Sequence, residues 1–109
     1  MQDALRAHAD LAGVFGADDE AALGALAALE AAKKDLPIVG CEATEGARAA
    51  ILRGSALKAD AAVRPRRIGA ETVRAVARHL RGEKVPPAIP IEVEMVDRQS
   101  LEKERTSPK

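Results

Sequence analysis

Three short apolar runs, each followed by a stretch with helical character, constrain the fold of this chain most. They are LAGVFG at 11–16, LPIVG at 36–40 and ALKADAAV at 56–63. Each is too short for a helix. The first two are apolar throughout, the pattern of strands buried on both faces of a sheet. The segments after them carry helix punctuation. DDEAALGALAALEAAKK (18–34) has acids in its first turn and lysines in its last, as the helix dipole favours. Its Gly24 costs roughly 1 kcal/mol relative to alanine, which close packing on a sheet would explain. TEGARAAILRG (44–54) predicts a helix with Thr44 as N-cap and Gly54 just past its end. PRRIGAETVRAVARHLRG (65–82) predicts another, from Pro65 to Gly82. Gly69, Val73, Val76 and Leu80 line one side of it, and Arg67, Glu71, Arg74, Arg78 and Arg81 the other. A fourth run, IEVEMV (91–96), alternates: Ile91, Val93 and Met95 on one side, Glu92 and Glu94 on the other. That is a half-exposed edge strand. MQDALRAHAD (1–10) reads as a short helix, and DRQSLEKERTSPK (97–109) as a polar tail that frays. Strand–helix repeats of about 20–25 residues imply right-handed crossovers and a largely parallel, three-layer α/β/α sheet.

Composition narrows the core and the partners. Phe15 is the one aromatic residue in 109, so the core must be built from Ala, Val, Leu and Ile. Such a core is thin, and its stability depends on a covering surface. Seventeen basic and seventeen acidic residues cancel, which removes any global attraction to nucleic acid or anionic membrane. Cys41 is the single cysteine and excludes an intrachain disulfide. No apolar run approaches membrane-spanning length. The first ten residues lack the apolar core of a signal peptide, so this chain expressed alone is expected to stay in the cytoplasm.

Parallel sheets bind ligands beyond the carboxyl ends of their strands. Here those ends lead into Asp18, Asp19 and Glu20, into Cys41 and Glu42, and into Val63 and Arg64. Carboxylates in such corners can accept paired hydrogen bonds from sugar hydroxyls, hold a hard divalent cation, or simply start a helix. Cys41 fits either a thiol activated by a helix start or a small filler. His8 and His79 have no catalytic partner in any recognisable spacing. The arginines at 64, 66, 67, 74, 78 and 81 are interleaved with Glu71 and lack stacking aromatics, which indicates a solvated face and no nucleic-acid partner. There is no P-loop, GxGxxG or GxSxG, hence no sign of a cofactor or of an enzyme.

Taken together, AHADLAGVFGADDEAALGALAALEAA, LPIVGCEAT and ILRGSALKADAAVRPRRIGAETVRAVARHLRGEKV resemble the C-terminal portion of ribose-type periplasmic sugar-binding proteins, the solute-binding subunits of ABC importers. The resemblance runs from about Gln2 to Val96. The effector domain of LacI-type repressors shares this fold and is the alternative. The ALGAL helix and the strand after the G-E-x-V turn favour the importer branch. The resemblance implies an incomplete lobe over 1–96, with the helix at 65–82 belonging to the other lobe and crossings near 62–64 and 85–90. It implies a truncated family member that lacks most of its N-terminal lobe or replaces it by self-association. A small sugar would be its ligand, a transporter permease its partner and the periplasm or cell envelope its family location. By the same resemblance four positions correspond to ligand contacts: Asp18 where the family has Asn, Glu42 where it has Asp, Cys41 where it has an aromatic, and Val63 where it has Gln. All four depart from the pattern, so the sugar site is expected to be degraded. Asp19 matches, as a structural corner residue.

Overall fold

A computed structural model describes residues 1–106. In chain order the elements are α1 (Gln2–Ala7), β1 (Val14–Phe15), α2 (Asp19–Ala31), β2 (Ile38–Glu42), α3 (Glu45–Leu52), β3 (Leu57–Ala62), α4 (Pro65–Leu80), β4 (Glu94–Asp97) and α5 (Arg98–Thr106). The strands form one sheet in the order β1-β2-β3-β4. The first three are parallel and β4 returns antiparallel to β3. Two compact units result. One comprises 1–62 and the chain from Glu94 onward; the other is Val63–Val93.

The α/β class follows from short apolar runs that cannot close a helix and alanine-rich stretches that can. In α2 the buried positions are Asp19, Ala22, Ala25, Leu26 and Leu29, one face at helical spacing. Ala47, Ala50 and Ile51 of α3 meet them, together with Ile38, Leu57, Val96 and Leu101. Small residues let the helices lie close to the sheet, and each buried Leu or Ile contributes about 1.5–3 kcal/mol. Helices α2, α3 and α4 end alike. The third residue past each helix end donates to the carbonyl five residues back (Lys34 to Leu29, Ser55 to Ala50, Glu83 to Arg78) around a left-handed residue. That residue is Lys33 (φ 53), Gly54 (φ 77) or Gly82 (φ 78). The lysines expected in the last turn of α2 therefore lie beyond it.

The sheet is covered by α2, α3 and α5 on one side. β1 and β2 were expected to be buried on both faces, and they are not. Phe15 is 69% exposed, Val39 41% and Met95 64%. Register explains the grouping. Phe15 pairs with Val39, and Cys41 with Ala61 and through it Met95, so all point away from the helices. Apolar composition marks a strand; it does not say what lies on each side of it. Gly24 also departs from expectation, being exposed with no neighbour that a side chain would meet.

β4 takes the opposite phase from the one its alternation predicted. Val96 opposes Asp60 and is buried, while Met95 faces out. The predicted fraying tail is also corrected over 98–106, which form α5; residues 107–109 lie outside the described ones. Asp97 Oδ1 accepts from Ser100 N at 2.8 Å and Ser100 Oγ accepts from Asp97 N at 2.9 Å, a reciprocal cap. One apolar residue, Leu101, anchors the helix at 3% exposure. The pair Arg48–Glu104 ties it to α3 at 3.0 Å.

β3 carries one irregularity: Ile38 pairs with Leu57 but Val39 with Ala59, so Lys58 is an extra residue. In the second unit, α4 starts with Pro65 in its first turn and buries none of its residues. Ile68 and Val76 of α4 line a cleft with Val85, Pro86, Pro87 and Ile89. Three arginines in or just past it are engaged locally, Arg74 with Glu71 and both Arg78 and Arg81 with Glu83. Among the described residues no helix is long and apolar enough to cross a membrane.

Two outcomes follow. The uncovered apolar row is expected to make the chain self-associate, read as a concentration-dependent mass in sedimentation; a monodisperse monomer with a sharp melt would contradict this. Leu101→Ala is expected to cost about 2–5 kcal/mol, with loss of the α5 helical signal in circular dichroism before the rest unfolds.

Candidate functional site

The carboxyl ends of β1 and β2 lie side by side because the two strands are parallel neighbours. Gly16 closes β1. A methyl group there would come within 2.7 Å of the Ala22 amide nitrogen, so only glycine lets α2 start so close to the strand. The three consecutive acids that follow then take three different roles. Asp18 is the N-cap of α2: its Oδ1 accepts from Ala21 N at 2.7 Å, while the side chain remains exposed. Asp19 turns inward and is 2% exposed. Glu20 is exposed in the first turn, where the helix dipole favours an anion.

Asp19 works together with a residue that sequence reasoning passed over. Asp60, in the middle of β3, is fully buried. Its Oδ1 accepts from Ala43 N at 3.0 Å. Asp19 Oδ2 accepts from Thr44 N at 2.6 Å. The two carboxylates thus hold two successive amides at the end of β2. Their other oxygens, Asp19 Oδ1 and Asp60 Oδ2, have no further donor and lie against Gly40. A side chain at Gly40 would collide with Asp60 Oδ2 and come within 3.2 Å of Asp19 Oδ1. The two carboxyl groups are close enough that each perturbs the other's ionisation. Burial, then the hydrogen bond and charge of Asp19, push Asp60 up to about 6 from an ordinary 3.8. Burial pushes Asp19 upward as well, but the hydrogen bonds from Thr44 and Asp60 outweigh it and hold Asp19 below the ordinary value.

The amides held in this way belong to a strained turn. Glu42 (φ 132) and Ala43 (φ 55) both lie in the left-handed half of backbone space. Such residues cost on the order of 1–3 kcal/mol each and persist where surrounding contacts enforce them. Here the contacts are the two carboxylates and Arg48, whose Nε donates to Ala43 O at 3.0 Å. The outcome is an exposed Glu42 side chain at the strand end.

Of the four predicted contacts, Asp18, Cys41 and Glu42 lie in the first unit, at the carboxyl ends of neighbouring strands. Cys41 is half-buried on the sheet face away from the helices. Val63 directly follows β3 and is the first residue of the second unit. Asp60 was legible in one respect: an acid in the middle of an alanine-rich strand needs a partner if it is buried. Among the described residues no three His, Cys, Asp or Glu side chains converge as a metal site would require. Asp18 and Glu42 can accept hydrogen bonds from hydroxyl groups.

Comparison with known proteins adds the family context. A family model described as a periplasmic binding protein domain matches residues 1–84. A ribose import binding protein of Escherichia coli strain K12 is 41% identical over 100 residues, 91% of this chain and 33% of the relative. An ABC transporter solute-binding protein of Mycobacterium smegmatis, solved with bound glycerol, aligns with a TM-score of 0.83 at 32% identity, over 94% of this chain and 36% of that one. A periplasmic ribose ABC transporter structure from Conexibacter woesei aligns with a TM-score of 0.78 at 24% identity over 98% of this chain and 37% of its own, and shows the shared fold. The chain spans about a third of the length of the curated relatives it matches. The repressor alternative gains no support from these relatives.

The close approach at Gly40 sets a test. Gly40→Ala is expected to destabilise the chain by about 1–3 kcal/mol, seen as a lower urea midpoint. Gly24→Ala, at an open helix position, is expected to stabilise the chain by roughly 0.5–1 kcal/mol, seen as a higher midpoint.

Proposed function

The chain belongs to the periplasmic-binding-protein family, and from that premise we propose that it forms part of the solute-binding component of an ABC-type carbohydrate importer. In this reading it contributes one wall of a sugar cleft and catalyses nothing. The observation that carries the proposal is the exposed pair Asp18 and Glu42 at the carboxyl ends of adjacent parallel strands. Two carboxylates so displayed accept hydrogen bonds from vicinal hydroxyls, the chemistry a small sugar demands. The identity to ribose import binding proteins supports a pentose of the ribose type as the ligand class. A transporter permease would be the partner, and the periplasm or cell envelope the place of action.

The proposed contacts are Asp18, Cys41, Glu42 and Val63. Their chemistry is sparse. Asp18 already spends one oxygen on its helix cap, and as a carboxylate it donates nothing. Cys41 offers no aromatic face, and Val63 no polar side-chain atom. The chain alone is therefore a weak binder that needs a second wall, from elsewhere in a longer protein or from another copy.

Titration of the labelled chain with D-ribose, followed by amide NMR, is expected to move resonances at Asp18, Cys41, Glu42 and Val63 at tens of millimolar sugar. Millimolar ribose, galactose or xylose is expected to leave the melting temperature unchanged, since stabilisation scales with RT ln(1 + [L]/Kd). Asp18→Asn keeps the cap and restores a donor, and is expected to tighten ribose binding roughly two- to tenfold. Silence of all four resonances with every pentose and hexose tried would end the sugar reading. A melting shift of several degrees would instead make the four departures adaptations to a ligand this chain binds unaided.

A further inference from the structure

The buried carboxylates have a geometry that simple helix capping does not require. Ala43 N and Thr44 N each need one acceptor, and one oxygen from each aspartate supplies it. Two oxygens remain, Asp19 Oδ1 and Asp60 Oδ2, both turned to the same small space against Gly40. Two bare anions in that buried space would repel each other with no donor to offset it. A single proton between them satisfies both.

Among the described residues no other charged side chain donates a hydrogen bond to Asp19 Oδ1 or Asp60 Oδ2. From β2 the neighbour is Gly40, which has no side chain. From β4 it is Val96, paired opposite Asp60, with the exposed Glu94 two residues away on the same face. From α2 it is Asp19 itself. The α3 start supplies Thr44 and the cation Arg48, whose guanidinium is committed to Ala43 O and to Glu104 of α5. Asp97 of β4 pairs with Ala59 and faces the other side of the sheet. Glu42 of β2 is exposed.

We propose that Asp19 and Asp60 are the positioning residues of the sugar wall: one shared proton fixes the turn at 42–44 and with it the presentation of Glu42, and loss of that proton releases the turn. The consequence for ligand rests on the sugar reading above, while the behaviour of the turn does not. The proton resides mainly on Asp60, the more deeply buried of the two. Its folded value lies above the ordinary 3.8, at about 6. Its contribution to stability is thus complete below 3.8 and is lost as pH rises through about 6. Asp19 is shifted the other way, so its contribution is lost as pH falls below the ordinary carboxylate range. The turn is held best in mildly acidic solution and loosens toward neutrality.

The test needs no sugar. Amide NMR of the full chain is taken from about pH 4.5 to about pH 8. The Ala43 and Thr44 resonances are expected to titrate together with a midpoint near 6 and to lose exchange protection above it. Asp60→Asn retains an acceptor for Ala43 N and offers Asp19 Oδ1 a fixed donor. It is expected to abolish both titrations and to make the unfolding midpoint flat between pH 5 and pH 7, where the unaltered chain declines. Amides silent across the range, or a titration that survives in the Asn variant, would overturn the proposal. If the Asn variant does not fold, the titration of the unaltered chain decides alone. A turn that titrates without any ribose response keeps the positioning pair and removes the sugar reading; a ribose response at a silent turn does the reverse.

Discussion

The contact on which the rest of the molecule depends is the meeting of Asp19, Asp60 and Gly40 under the carboxyl edge of the sheet. It joins the start of α2, the middle of β3, the end of β2 and the start of α3. A core of alanine and leucine can bring helices onto a sheet but fixes their positions loosely, since small side chains interlock little. Directed hydrogen bonds from two carboxylates to two successive amides supply the missing precision. They also hold Glu42 and Ala43 in backbone conformations those residues do not adopt unaided. The absence of a side chain at Gly40 is what admits both carboxylates.

Much of this was readable in the amino-acid sequence. The order of strands and helices follows from punctuation: Asp18, Thr44 and Pro65 at helix starts, Gly54 and Gly82 at their ends. What could not be read is which side of each strand meets a helix. LAGVFG and LPIVG look the same whether both faces are covered or one, and here Phe15 and Val39 are exposed. The last segment misled for a related reason. Its composition is polar, but Asp97 and Ser100 cap each other and Leu101 alone anchors α5. One buried leucine leaves little trace in a hydropathy profile.

The candidate site divides in the same way. Asp18 and Glu42 were located by a topological rule, that ligands gather at the carboxyl ends of parallel strands, and by a family resemblance. Asp19 was expected at a structural corner and is part of one. Asp60 was missed because its role depends on a partner 41 residues away that no local pattern reveals. The residues that would touch a sugar are thus held by residues that never reach solvent. A family signature records the former well and the latter poorly.

The extra residue in β3 gives this arrangement its handedness of face. With strict alternation from the inward Leu57, Ala59 would point toward the helices and Asp60 toward the bare side of the sheet. Lys58 breaks the alternation, so Asp60 comes to lie beside Gly40 and opposite Val96. The bulge therefore absorbs one residue without changing the phase beyond it, and a carboxyl instead of a methyl group stays turned toward the helices. A chain without Lys58 would reach the same orientation by strict alternation, with Leu57 and Asp60 both inward. Only a strand that kept the residue and lost the bulge would turn the carboxyl outward, so the corner depends on a local kink in the backbone as well as on its side chains.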